Sequence, residues 1–312
     1  MIDLISRTEP LVDAFRRPIT YLRISVTDRC NLRCVYCMPE TGLAWIPNPD
    51  ILSYEEIAEI VRAAASVGVH SVRLTGGEPL IRRKLERLVA MLDAIPGIDD
   101  IALSTNGLLL AEQAATLRAA GLRRVNVSLD TLDAERFTAI ARRPGLERVL
   151  AGIDAAIAAG LEPVKLNCVL MRGTNDDELE AFADLTRARA VHVRFIEVMP
   201  VHENVAMQRQ AWISSDEVLA RLGTLGALRP VDAPHGNGPA RTFAYPGAFG
   251  TIGVISPLAH DYCERCNRVR LSADGRLKLC LFGDNLIDLR TPLRTGGGEE
   301  AIVSLLRGAM HV

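Results

Sequence analysis

The strongest constraint on how this chain folds is an alternation that runs through its first two thirds. Short apolar stretches with strand character are each followed by segments whose apolar residues recur at helical spacing. Strands are predicted over 21–26, 70–74, 101–104, 124–129, 163–170 and 191–198, and helices over 53–67, 82–94, 111–120, 133–140, 146–159 and 175–188. In the first helix Ile57, Ile60, Val61 and Ala64 fall on one face. Ser53 with Glu56 forms a capping box before them, Gly68 offers a stop, and Asn175 with Glu178 reads as a second capping box. Six βα units in succession predict a parallel sheet with helices outside. A closed eight-unit barrel needs about two more units. The count fits a partial (βα)6 TIM-like barrel, and an open doubly wound sheet is the other arrangement of the same pattern.

The C-terminal third reads differently. A helix near 215–222 is followed by a Gly/Pro-rich loop at 231–240, short strands at 241–245, 251–255, 268–272 and 276–281, and a helix at 299–308. This is the pattern of a small α+β module, which divides the chain into 14–229 and 230–312. With 48% apolar and 24% charged residues the chain is globular, and large-scale disorder is excluded. A net charge of −2 provides no general attraction to nucleic acid or an anionic membrane. No apolar run approaches the ~18 residues of a membrane helix, and the N-terminus has no signal-peptide core. The expected location is cytoplasmic, with reduced cysteines.

Six of the seven cysteines fall into two groups of three. Cys30, Cys34 and Cys37 follow the first strand as C-x3-C-x2-C. That places them on a loop at the carboxyl end of a parallel strand, where α/β barrels carry their chemistry. Thiolates favour iron–sulfur clusters, and three of them leave one iron of a four-iron cluster open. No histidine precedes His70, and no fourth cysteine is local. A zinc ion completed by a distant ligand, or three unliganded thiols, are the other readings. Cys263, Cys266 and Cys280 form a C-x2-C-x13-C set across a hairpin turning at Ala273-Asp274-Gly275. A second cluster is expected there, and zinc with His260 as fourth ligand is the alternative. Cys168, mid-strand, reads as core. Thr75-Gly76-Gly77-Glu78-Pro79 follows the second strand, either as a tight turn or as a backbone surface open to a ligand.

With its cysteine loop and TGGEP, the chain resembles the radical S-adenosylmethionine (SAM) superfamily. That resemblance implies that SAM chelates the open iron of the first cluster. It implies SAM contacts at Tyr36, Gly77, Ser128 and Met199. The second cysteine group narrows it, together with the segments YLRISVTDRCNLRCVYCMPE, STNG, VNVSLD, RFIEVMP and CERCNRVRLSADGRLKLCLFG. From about residue 14 to 308 the chain is similar to the GTP 3′,8-cyclase family of molybdenum cofactor biosynthesis. The resemblance implies two 4Fe-4S clusters and a GTP substrate bound at the second. A radical taken from C3′ of the ribose attacks C8 of guanine. The product is (8S)-3′,8-cyclo-7,8-dihydroguanosine 5′-triphosphate. It further implies a homodimer, a reducing electron donor, and a downstream cyclic pyranopterin phosphate synthase as partner.

No phosphate-binding G-x-x-x-x-G-K-[ST] loop occurs, since none of Lys84, Lys165 and Lys278 follows a glycine. A triphosphate must then be held by side-chain cations, for which guanidinium forks are suited. The resemblance implies GTP contacts at Arg23, Arg73, Ser104, Lys165, Arg268, Val269 and Arg270. Position 104 is often threonine in that family, and the serine keeps the hydroxyl. Arg82, Arg83, Arg123, Arg124, Arg142 and Arg143 read as surface charges. Family members end in an extension closing with two glycines, which this sequence lacks after Gly308-Ala309-Met310-His311-Val312. Either it is part of a longer chain, or it binds its cofactors and cyclises poorly. Two other classes fit less well: a radical SAM peptide-modifying enzyme with an auxiliary cluster, and a non-catalytic iron–sulfur or zinc scaffold.

Overall fold

The computed structural model describes residues 10–199, 209–235, 238–257, 263–264, 266–283 and 286–310. Six strands run parallel in sequence order: β1 (Tyr21–Ser25), β2 (Ser71–Thr75), β3 (Asp100–Thr105), β4 (Arg124–Ser128), β5 (Val164–Leu170) and β6 (Val191–Glu197). The helices that follow them are α1 (Tyr54–Ser66), α2 (Leu85–Asp93), α3 (Leu110–Ala119), α4 (Ala134–Ala141), α5 (Leu146–Ala158), α6 (Leu179–Ala188) and α7 (Ser215–Gly223). The Ser53–Glu56 capping box forms in both directions at the start of α1. The one expected at Asn175 does not. The Asn175 amide donates to the carbonyls of Asp130 (2.6 Å) and Val169 (3.0 Å) instead. Glu178 accepts from Thr131 Oγ1 and the Leu132 amide, tying the end of β4 to the entry of α6.

The C-terminal strands are β7 (Arg229–Pro230), β8 (Arg241–Ala244), β9 (Thr251–Ile255), β10 (Arg268–Leu271), β11 (Arg276–Lys278) and β12 (Leu286–Asp288). They do not form a sheet of their own. β9 pairs in parallel with β6, and β10 pairs in parallel with β1, so all twelve described strands make one sheet in the order β12-β11-β10-β1-β2-β3-β4-β5-β6-β9-β8-β7. Residues of β1, β2, β4, β5, β6, β9 and β10 line a single cavity, so the sheet curls around it. Helices α8 (Arg290–Arg294) and α9 (Gly298–Ala309) close the chain, with α9 against α1.

Strand periodicity separates two faces. Leu22, Ile24, Val72, Leu74, Ile101, Leu103, Val125, Val127, Leu166 and Val193 are buried in the main core under the helices. The alternate residues face inward. In most α/β barrels that interior is filled by layers of branched apolar side chains. Here it holds arginines.

Candidate functional site

The inward residues of neighbouring strands stand side by side. Arg23 lies opposite Arg73 on one flank and Arg270 on the other, and Arg194 lies opposite Asn167. Together with Arg268, Tyr21, Asn126 and Met199 they line a cavity of about 410 Å³. Burial, and then the charges of Arg73, Arg270 and Arg268, push Arg23 down to about 10. Burial and the charge of Arg73 push Arg194 down to about 9. Nε and one terminal nitrogen of Arg194 are buried and have no hydrogen-bond partner among the described residues. Buried polar groups are almost always paired, so such donors point to an anion. Arg73 is better held. Its Nε donates to the Tyr21 hydroxyl and a terminal nitrogen to Ser104 Oγ at 3.3 Å. Burial alone would raise the Tyr21 phenol, but the charges of Arg73 and Arg23 outweigh it and hold the phenol below its ordinary range.

Lys165 does not line this cavity. It stands nearer the opposite mouth, where its ammonium nitrogen meets the carbonyls of Pro234 (3.3 Å) and His235 (2.6 Å). Burial and the charges of Arg194, Arg124 and Arg73 lower it to about 6. Arg124 is 1% exposed and forms a two-pronged ion pair with Asp100, which corrects its reading as a surface charge. Arg82 is corrected likewise: it donates to the carbonyls of Val26 (2.5 Å) and Leu52 (2.6 Å). Arg142 is a third correction, with its guanidinium on the carbonyls of Arg33 (3.2 Å) and Met38 (3.1 Å).

Those last contacts fasten the first cysteine loop. The amides of Arg33 and Val35 donate to Ala141 and Ile140 at the end of α4, each at 3.0 Å. The Tyr36 side chain packs beside Ile140, Met171 and Val198. Its hydroxyl donates to Asp130 (2.7 Å), whose other oxygen accepts from the Val169 amide (2.8 Å). Burial drives Asp130 up to about 6 against those bonds, and it pushes the Cys30, Cys34 and Cys37 thiols above their usual range.

TGGEP serves this loop in a way that its spacing alone does not reveal. A Cβ on Gly77 would lie 2.1 Å from the carbonyl oxygen of Arg29. The Gly77 and Glu78 amides donate to Thr27 and Arg29, each at 2.8 Å. The glycine thus lets the backbone preceding Cys30 approach β2. Glu78, 1% exposed, accepts from Thr105 Oγ1 (2.7 Å) and the Asn106 amide (2.6 Å). The Asn106 side-chain amide reaches Asn31 in the cysteine loop at 2.7 Å. Ser128 ends β4 exposed, opposite Asn167.

Cys263, Cys266 and Cys280 face a second cavity of about 630 Å³, which shares Arg268, Arg270 and Leu281 with the first. Val269 is buried between the two arginines and borders the second cavity. Burial raises the Cys266 thiol, but the Arg268 guanidinium outweighs it and holds the thiol below its ordinary value. His260 lies outside the described residues. Cys168 is fully buried, as core.

Among the described residues, no three His, Cys, Asp or Glu side chains converge closely enough to hold one metal ion. Zinc gathers its thiolates about 2.3 Å from a single centre. A four-iron cluster takes each thiolate on a different iron, and each trio supplies three thiols. Of the inward cations, sequence reasoning passed over Arg194. The signal was there: a charge at position 194 of an apolar strand.

The radical SAM superfamily model matches residues 24–186, and the molybdenum cofactor synthesis C model matches residues 191–312. The chain is 51% identical over 299 residues to a GTP 3′,8-cyclase of Pelotomaculum thermopropionicum, covering 96% of this chain and 92% of that one. It is 48% identical over 303 residues to one of Heliobacterium modesticaldum, with the same coverage. Among solved structures, Streptococcus suis SuiB bound to S-adenosylmethionine has a TM-score of 0.62 at 14% identity, over 96% of this chain and 68% of that one. That second likeness is one of fold.

Proposed function

The chain belongs to the radical SAM superfamily and, over nearly its whole length, to the GTP 3′,8-cyclase family, and on that premise we propose how its residues carry out the first step of molybdenum cofactor biosynthesis. Cys30, Cys34 and Cys37 hold one 4Fe-4S cluster, and Cys263, Cys266 and Cys280 hold another. When bound, the first cluster supplies the electron that cleaves SAM and so generates a 5′-deoxyadenosyl radical. Tyr36, Gly77, Ser128 and Met199 border the SAM. The rest of the reaction is positioning. Arg23, Arg73, Arg194, Arg268 and Arg270 take the triphosphate, whose charge offsets their crowding. Ser104 and Tyr21 hold Arg73 in place. The guanine reaches past Val269 toward the second cluster, and C3′ of the ribose is left facing the SAM side. Hydrogen passes from C3′ to the 5′-deoxyadenosyl radical, the C3′ radical adds to C8, and the resulting nucleotide radical takes up one electron from the reducing donor and one proton to give the cyclised triphosphate.

The observation that carries this reading is the arginine-lined barrel interior, and above all Arg194, whose buried donors lack a partner among the described residues. A polyphosphate satisfies such a site, and a peptide substrate does not require it. The division of labour between 14–229 and 230–312 belongs to the same proposal. So do a homodimer, an external reducing donor, and a pyranopterin-forming synthase as consumer of the product. No helix among the described residues is long and apolar enough to cross a membrane. The test is anaerobic incubation of the cluster-loaded protein with SAM, GTP and dithionite, followed by mass analysis of nucleotides. A cyclised, isomeric GTP is expected. SAM cleavage with GTP unchanged refutes the assignment.

A further inference from the structure

Aromatic residues make up only 4% of the chain, yet two exposed phenylalanines border the cavity of the second cysteine group. One of them, Phe15, is 78% exposed and sits on a short turn near the N-terminus. That turn is built to hold its shape. Val12 and Pro18 bridge as strands do, and Arg16 takes a left-handed φ of 61°. The Asp13 carboxylate accepts from the amides of Phe15 and Arg17, each at 2.9 Å, and from Arg17 Nε at 2.7 Å. The Arg17 guanidinium lies 4.9 Å from the centre of the Phe15 ring. Its far nitrogen donates to the carbonyl of Cys263. A braced turn thus fastens the backbone of a cysteine ligand and leaves a bare aromatic face at the mouth of the same cavity.

We infer that Phe15 is a base-binding residue whose ring packs against the purine base of the nucleotide, with Asp13 and Arg17 as its positioning residues. The inference rests on the reading above, in which the triphosphate occupies the arginine-lined cavity. The two cavities share Arg268, Arg270 and Leu281, so a nucleotide held by its phosphates in the first extends its base into the second. Nothing else on this turn is suited to a flat, electron-rich ring. An aromatic face recognises a base through stacking and is indifferent to phosphate.

The test compares Phe15→Ala and Phe15→Trp with the wild type, all cluster-loaded and full length, by calorimetric titration with GTP, inorganic tripolyphosphate and SAM. Phe15→Ala is expected to weaken GTP about tenfold, the usual size of one base–aromatic contact. It should leave tripolyphosphate and SAM unchanged, and Phe15→Trp should keep wild-type GTP affinity. Unaltered GTP affinity in Phe15→Ala overturns the inference. Parallel loss of GTP and tripolyphosphate also overturns it, because the ring would then act on the phosphate site. A changed oligomeric state with GTP binding intact would make Phe15 a contact between copies instead. Failure of the wild type to bind GTP at all sinks both readings, whereas wild-type binding with an indifferent Phe15→Ala sinks only this one.

Discussion

The two cysteine trios make opposite use of similar ligands. The first loop is stitched to the barrel from several directions, by the α4 carbonyls, by Tyr36 on Asp130, and by the backbone approach that Gly77 permits. Its charged neighbours include the carboxylates Asp130 and Glu78. The second trio is more open, with Cys263 and Cys280 exposed, and its neighbours are Arg268 and Arg270. Carboxylates beside a cluster resist added negative charge, whereas arginines invite it. On the proposed assignment, the first site is arranged for giving up an electron, and the second for receiving an anionic nucleotide. The fold separates the two tasks by placing one trio after β1 and the other beside β10, its immediate neighbour in the sheet.

The hardest test of that contrast is to remove one trio at a time. Cys34→Ala should abolish SAM cleavage and leave the iron of the second trio. Cys266→Ala should empty the second and leave SAM cleavage intact. Iron and sulfide analysis with electron paramagnetic resonance reads both, and loss of all iron from either folded variant would break the comparison. Next in size is Arg268→Ala with Arg270→Ala. Two charge-assisted phosphate contacts together contribute at least ~100-fold in GTP affinity, and Arg194→Met alone about 10–150-fold. Equilibrium dialysis should show SAM binding unchanged in both. A parallel fall in SAM affinity would mean that the arginines serve the barrel at large.

Gly77→Ala sharpens the account of the first loop. Its Cβ would meet the Arg29 carbonyl, so the variant should lose iron from the first trio several-fold faster to a chelator while its GTP affinity holds. Wild-type iron retention would reduce TGGEP to a turn. The smallest effect concerns protons. Lys165 is held at about 6 in the nucleotide-free barrel, so it is mostly neutral at pH 8. A bound polyanion raises it, so binding takes up protons, and GTP affinity falls as pH rises above about 6. Calorimetry at pH 8 in buffers of different ionisation enthalpy should register that uptake, and Lys165→Met should abolish it. Equal uptake in the variant would show that a polyanion among the arginines does not act on Lys165, which stands outside their cavity.

The six parallel units were legible because each strand and helix carries its own periodicity. What the sequence hid was long-range. β10 pairs with β1 across most of the chain, and no local pattern says that a C-terminal hairpin extends the sheet beyond β1. Arg124 resembles any other turn arginine until β3 brings Asp100 alongside it. Asn175 and Glu178 fit a capping box by spacing, but stronger partners on β5 and the β4–α4 connection claim both side chains. The cysteines were legible because ligand spacing is local. The arginine cage was legible only in part, since Arg194 needed its neighbours to be seen as inward.

The central claim is that the nucleotide's phosphates and base are held so that its ribose C3′ faces the SAM side of the barrel. The most direct measurement uses GTP carrying deuterium only at C3′. Incubated anaerobically with SAM, dithionite and the cluster-loaded protein, it should transfer deuterium to 5′-deoxyadenosine, which mass spectrometry reads. Label that stays wholly in the nucleotide while SAM is cleaved would contradict the account.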